Sequence, residues 1–154
     1  MEKIIEGYPT YAVTSDGMVR DLRTGTLRNG HNHYGYRAIN LTNPDGIKQF
    51  LIHRLVAMAF LPNPDNLPEI DHINRIEDDN RVENLRWAND YQQCDNKGIA
   101  KNNTTGHKYI TREKEGYRVQ IKRNKVKLAN RRFQVLEEAI AYKMQVCTAN
   151  QIAY

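Results

Sequence analysis

The chain has 154 residues, 40% of them hydrophobic and nine of them tyrosine, which is enough apolar matter for a folded core and excludes a disordered tail. Its 23 Lys and Arg against 18 Asp and Glu give a formal net charge of +5. No apolar run approaches the roughly 20 residues that cross a bilayer, and the start MEKIIEGYPTY lacks the layout of a secretory signal, so an intracellular protein with no membrane partner is expected. Only two cysteines occur, Cys94 and Cys147, far apart and outside any CxxC pattern, so neither a zinc cage nor a disulfide framework is expected.

The elements are expected in this order. From Glu6 to Leu41, short runs such as YAVTSDGMVRD and YGYRAINL are broken at SDG, RTG and RNG, which predicts a small antiparallel sheet. NPDG at Asn43 to Gly46 is a further turn before the strand KQFLI. HRLVAMAFLPNP then changes period: Leu55, Val56, Met58, Ala59 and Phe60 form an apolar helical face, stopped by Pro62 and Pro64. EIDHI is strand-like, a loop of acids and asparagines follows, and RVENLRWANDYQQCDNKGI reads as a helix anchored by Val82, Leu85 and Trp87. After KNNTTG, the runs HKYIT, GYRVQIKRN and KVKLANRRF alternate as three strands. VLEEAIAYKMQVCTA closes the chain as a helix with Val135, Ala139, Tyr142, Val146 and Ala149 on one side. The whole is an α+β chain of small modules.

The charge is unevenly spread. Lys97 to Phe133 holds twelve Lys or Arg and two acids, whereas the remainder holds eleven bases and sixteen acids. A basic block attached to a mildly acidic body points to a polyanion, above all nucleic acid.

Asp71 and His72 are the residues with chemistry. Where a strand bends into a loop, neighbouring side chains can serve one small volume. A carboxylate oxygen of Asp71 can hold a hard divalent cation there, while a neutral His72 takes a proton from water. Metal plus base is the minimal equipment for cleaving a phosphodiester. The reading requires an imidazole open to solvent and a carboxylate able to share one ion with a later ligand. Asn84, twelve residues on, is placed to pin the loop and orient the imidazole, and Gln93 follows nine residues later.

The segment HRLVAMAFLPNPDNLPEIDHINRIEDDNRVENLRWAN, His53 to Asn89, resembles the HNH nuclease family with its ββα-metal finger, in the branch of bacteriophage homing endonucleases. The resemblance implies a general base at His72, a metal ligand at Asp71, a bracing asparagine at Asn84 and a usual loop asparagine at Asn80. It places the second metal ligand on Gln93, where the family has Asn or His; the longer glutamine side chain is a departure. One Mg2+ or Mn2+ per site is implied. From the residues themselves, His53 and Arg54 are candidates to reach a phosphate near the metal, and Arg86, on the helix expected after the loop, is a further candidate for the DNA backbone.

The flanks resemble partners of such nucleases. Residues 1–50 resemble a small β module that precedes them, residues 51–100 form the nuclease, and residues 101–154 resemble the plant ethylene-response type of DNA-binding domain. In the last, Val119, Ile121, Val126 and Leu128 are expected to face the helix. Arg118, Gln120, Lys122 and Lys127 then project towards the major groove. Tyr109, Tyr117 and Tyr142 either stack on nucleotides or belong to a half-buried core.

The sequence therefore predicts a phage-encoded, metal-dependent DNA endonuclease of the bacterial host cytoplasm. It should bind double-stranded DNA as a monomer or weak dimer and nick one strand per monomer. Its rivals are a catalytically degenerate DNA-binding protein and a basic RNA-binding protein.

Overall fold

A computed structural model describes residues 1–123 and 125–152. The fold is mixed α+β, with small antiparallel sheets and three α-helices among the described residues. It packs as two compact units, 1–90 and 91–154.

In the first unit, β1 (Glu2–Ile5), β2 (Tyr8–Thr14), β3 (Val19–Asp21) and β4 (Leu27–Arg28) form one antiparallel sheet in chain order. A second sheet holds β5 (His31–His33), β6 (Tyr36–Asn43) and β7 (Gly46–Leu51). Two sheets thus stand where one was expected. The β-branched and aromatic residues of β2, β3 and β6 alternate inward as their period requires, so that Tyr11, Val13, Val19, Ile39 and Leu41 are buried.

Helix α1 (Ile52–Phe60) follows β7 directly and ends at Leu61, whose N–H bonds the Ala57 carbonyl before Pro62 forbids continuation. Its buried residues are Ile52, His53, Leu55, Val56 and Ala57. Of the expected face, Leu55 and Val56 are buried and Ala59 and Phe60 pack against the core, but Met58 is 66% exposed and Ile52, His53 and Ala57 turn inward instead.

β8 (Glu69–His72) and β9 (Leu85–Ala88) make a two-stranded hairpin, entered from a single 3-10 turn, Val82–Asn84. The helix expected from Val82 onward is therefore a turn and a strand, and α2 starts only at Asp90 (Asp90–Asn96). Pairing overrides the apparent helical spacing. Leu85 enters the core opposite His72, and the half-buried Trp87 donates its indole N–H to the Leu61 carbonyl at 3.2 Å. One core joins Val13, Val19, Leu41, Ile52, Val56, Ile70 and Leu85, drawing on residues either side of position 50.

The second unit carries β10 (Ile110–Glu113), β11 (Gly116–Arg123) and β12 (Val126–Phe133) as an antiparallel sheet, with α3 (Leu136–Ala149) packed on it. Val119, Ile121, Ala129, Ala139 and Cys147 are the centre of its core. A β-bulge at Ile121/Lys122 shifts the register of β12, so Ala129 is the buried residue opposite Ile121; Val126, expected inward, opens the strand opposite Arg123 and is 58% exposed. Val135 and Ala149, expected on the buried side of α3, are exposed, and Cys147 takes a fully buried place there. No described helix is long and apolar enough to cross a membrane.

Candidate active site and nucleic-acid face

The last residue of β8 is His72, and the chain turns immediately after it, with the Arg75 N–H bonding the His72 carbonyl at 2.9 Å. The loop 73–81 is built from its polar residues, which explains the acids and asparagines of the sequence. Asn84 accepts the Asn74 N–H at 2.9 Å and donates its amide to the Asp79 carbonyl at 2.7 Å, tying both limbs of the loop to one side chain. Asn74 in turn accepts from the Ile76 N–H and donates to Asp79. Arg81 bonds the Asp79 carboxylate through two nitrogens and holds its pKa down at about 2.

The first sheets also grip this loop. Val82 donates its N–H to the Ser15 carbonyl at 2.9 Å, and Arg37 makes a two-pronged ion pair with Asp78 at 2.7 and 3.0 Å. Gly17 lies on the backbone of Asn80.

His72 is buried, at 6% exposure. Its Nε2 lies 3.1 Å from Asn80 Oδ1. Because an amide oxygen only accepts, Nε2 carries the hydrogen and the lone pair is on Nδ1. The ring packs edge to face on His53 at 5.2 Å between centroids, and Tyr36 stacks nearby. Burial drives the His53 pKa down to about 4, with His72 and Arg54 adding to the effect. Among the described residues, His53 Nδ1 and Asn80 Nδ2 are buried without a hydrogen-bond partner. The sequence offers His53 as a phosphate contact; its packing against His72 across the fold has no local signal.

Asp71 is 8% exposed and faces Arg86 across the hairpin. Arg86 Nε and Nη2 both bond Asp71 Oδ2, at 2.9 and 2.7 Å. The open imidazole required from sequence is not found. Strand, loop and α1 close over the end of β8, so Ile70, Asp71 and His72 are all buried. Arg86 stands on a strand rather than on a helix, and its first partner is the carboxylate. Arg54, about half-exposed, lies 4.0 Å from Glu69 and 3.4 Å from the Pro68 carbonyl. Gln93 lies on α2, within the second unit.

In that second unit, strand register aligns the candidate DNA contacts. Arg118 faces Arg132, Gln120 faces Asn130, and Lys122 faces Lys127. Gln120, Lys122 and Lys127 are exposed, while Arg118 is held by Glu113 at 2.5 Å and touches Asn130 at 3.3 Å. Glu113 also pairs with Arg132 at 2.7 Å. Asn130 and Arg132 were not selected from sequence; only the bulged register identifies them as neighbours of the chosen residues. Tyr109, Tyr117 and Tyr142 pack against the core. Tyr109 donates to Asp95 at 2.8 Å, and its burial raises the phenol pKa.

Residues 50–93 match the family model of the HNH endonucleases. An uncharacterized HNH endonuclease of Acanthamoeba polyphaga mimivirus is 40% identical over 54% of the chain and 22% of its own length. DNA endonuclease I-HmuI of Bacillus phage SP01 is 35% identical over 56% of the chain and 51% of its own length. The solved structure of that homing endonuclease, described as showing DNA binding and cleavage, superposes with a TM-score of 0.57 at 31% identity, covering 62% of this chain and 56% of the other. Residues 50–93 are thus similar to HNH endonucleases, the fold is similar to that of the homing endonuclease over 62% of the chain, and the chain spans about half the length of the phage relative and less than a quarter of the mimivirus one.

Proposed function

We propose that the chain is a divalent-metal-dependent HNH DNA endonuclease of the homing type, which binds duplex DNA and hydrolyses phosphodiester bonds, nicking one strand per monomer. The observation that carries this reading is Asp71 and His72 at the end of β8, with Asn84 tying down the loop that follows, inside a segment homologous to HNH endonucleases.

The donor chemistry fits the ion. Asp71 is a hard oxygen donor whose carboxylate already accepts a cation, and the second assigned ligand, Gln93, offers an amide oxygen. The described residues contain no group of three or more His, Cys, Asp or Glu that could hold a metal ion, so a bound Mg2+ or Mn2+ would take its remaining ligands from phosphate and water. When bound, one such ion neutralises charge on the phosphate and on the departing 3′ oxygen.

The chain's own groups do the rest. His72 takes a proton from water at Nδ1, the nitrogen left basic by the Nε2–H bond to Asn80. The burial of His72 stands against the open imidazole that the sequence reading requires, and the His72→Ala comparison below decides the role. Asn84 keeps loop and base in register, and Arg54 and Arg86 neutralise backbone phosphates. The exposed face of the second sheet, with Arg118, Gln120, Lys122 and Lys127, enters the major groove in the manner of the ethylene-response domains. The products carry 5′ phosphate and 3′ hydroxyl ends. Modules 1–50, 51–100 and 101–154 divide these tasks, in a monomer or weak dimer.

One observation favours a second reading, a degenerate DNA-binding protein: the sole assigned metal carboxylate is already paired with Arg86. Nicking of supercoiled plasmid with Mg2+ separates the two. The proposal expects relaxation by the native chain and at least a hundredfold loss in His72→Ala with DNA affinity kept. Equal binding with no nicking in either protein overturns it.

A further inference from the structure

β8 and β9 pair so that Asp71 and Arg86 are direct cross-strand neighbours, and two guanidinium N–H groups converge on a single carboxylate oxygen. The carboxylate is 8% exposed, whereas the Arg86 side chain is 46% exposed. A buried anion and its counter-charge are thus arranged with the anion inside and the cation at the surface.

That arrangement sets the charge balance of the site. Asp71 and Arg86 sum to zero. A divalent ion arriving alone meets one carboxylate already bonded to a cation, and repulsion from the guanidinium opposes it whether Arg86 stays or leaves. A DNA phosphate changes the sum twice over. It brings negative charge to the ion, and it offers the guanidinium a second planar acceptor equivalent to the carboxylate.

We propose that Arg86 is an electrostatic latch on Asp71: in the free chain it fills the counter-charge position of the divalent ion, and on DNA it passes to a backbone phosphate, so that metal and DNA bind interdependently. The inference rests on the reading of Asp71 as the metal carboxylate. By linkage the dependence is reciprocal: DNA strengthens metal binding by the factor by which metal strengthens DNA binding. The device keeps the free protein from loading an ion away from its substrate.

The test is a titration of the full chain with Mn2+ alone and with Mn2+ plus a mixed-sequence duplex, reading free Mn2+ by its paramagnetic resonance and subtracting duplex without protein. For the native chain, affinity should rise about tenfold when duplex is present; equal affinities overturn the latch. Arg86→Gln should bind Mn2+ about tenfold more tightly than native without duplex and lose most of the gain from duplex. Arg86→Lys, which keeps the charge, should stay within about threefold of native. If Arg86→Gln binds Mn2+ no more tightly than native while Asp71→Asn loses it, Arg86 orients the carboxylate and the latch is wrong, though the metal site stands. If Asp71→Asn binds Mn2+ as well as native does, the ion is not on Asp71, and the metal reading fails together with the latch. Should Arg86→Gln not fold, Arg86→Met in the same titration takes its place, with the same outcomes expected.

Discussion

Gly17 lies so close to Asn80 that a Cβ on the glycine would stand 2.7 Å from the asparagine Cβ, and Gly17 has a φ of +82°. The turn between β2 and β3 therefore presses on the loop whose Asn80 holds His72. Gly17→Ala must both adopt a left-handed backbone and push Asn80 aside. It should destabilise the first unit by about 2–4 kcal/mol and slow nicking at temperatures where the protein stays folded. Urea unfolding and plasmid nicking measure the two effects; native stability in the variant would mean the turn does not brace the loop.

Asn84 makes two hydrogen bonds that span the loop, and it is 6% exposed. Asn84→Ala should cost about 1–3 kcal/mol, since both a backbone N–H and a carbonyl lose their partner. Hydrogen exchange should quicken at Asn74, whose N–H bonds Asn84 directly, more than in the middle of β6. A uniform change along the chain would contradict a local role.

His53 gives the first unit a pH dependence with a definite sign. Its pKa is lowered from the ordinary 6.5 to about 4 by burial, so the unfolded chain binds a proton at a pH where the folded one does not. Stability from this residue is intact above pH 6.5 and falls as pH drops through the window to 4, by at most about 3 kcal/mol. Urea unfolding at pH 7 and pH 5 should show a loss of about 2 kcal/mol more in the native chain than in His53→Phe. Parallel pH profiles for the two proteins would rule out a buried neutral His53.

Lys122 and Lys127 are opposite one another on the exposed face of the second sheet, and neither was drawn together by sequence spacing. Each to alanine should weaken duplex binding and lower the slope of log affinity against log salt by about one. Filter binding from low to moderate salt measures it. An unchanged slope in both would remove this face from the DNA contact.

Much of the fold was legible because its signals are local. Turns at SDG and NPDG, the proline stop at Pro62 and the alternation of Val119 and Ile121 each depend on a few adjacent residues, and the elements they predict are present. Three readings failed where pairing or phase decided the outcome. RVENLRW becomes a 3-10 turn and a strand because β8 offers a partner edge. Met58 turns outward because the core takes the stripe through Ile52, Leu55, Val56 and Ala59. Ala129, not chosen as an inward residue, is buried opposite Ile121 because a bulge adds a residue to β12. None of these is encoded within the segment that it changes.

The sequence by itself determined the chemistry at hand: an aspartate beside a histidine, an asparagine twelve residues on, a basic block near the C-terminal end and the α+β order of elements, since residue type and short-range period are properties of the chain alone. Only the tertiary structure decided that His72 is sunk against His53, that Asn80 holds its Nε2–H and that Arg86 is bonded to Asp71. Those relations arise where strands pair and a loop folds back under a distant turn. Their partners are separated in sequence by 19, 8 and 15 residues, beyond the reach of any local period.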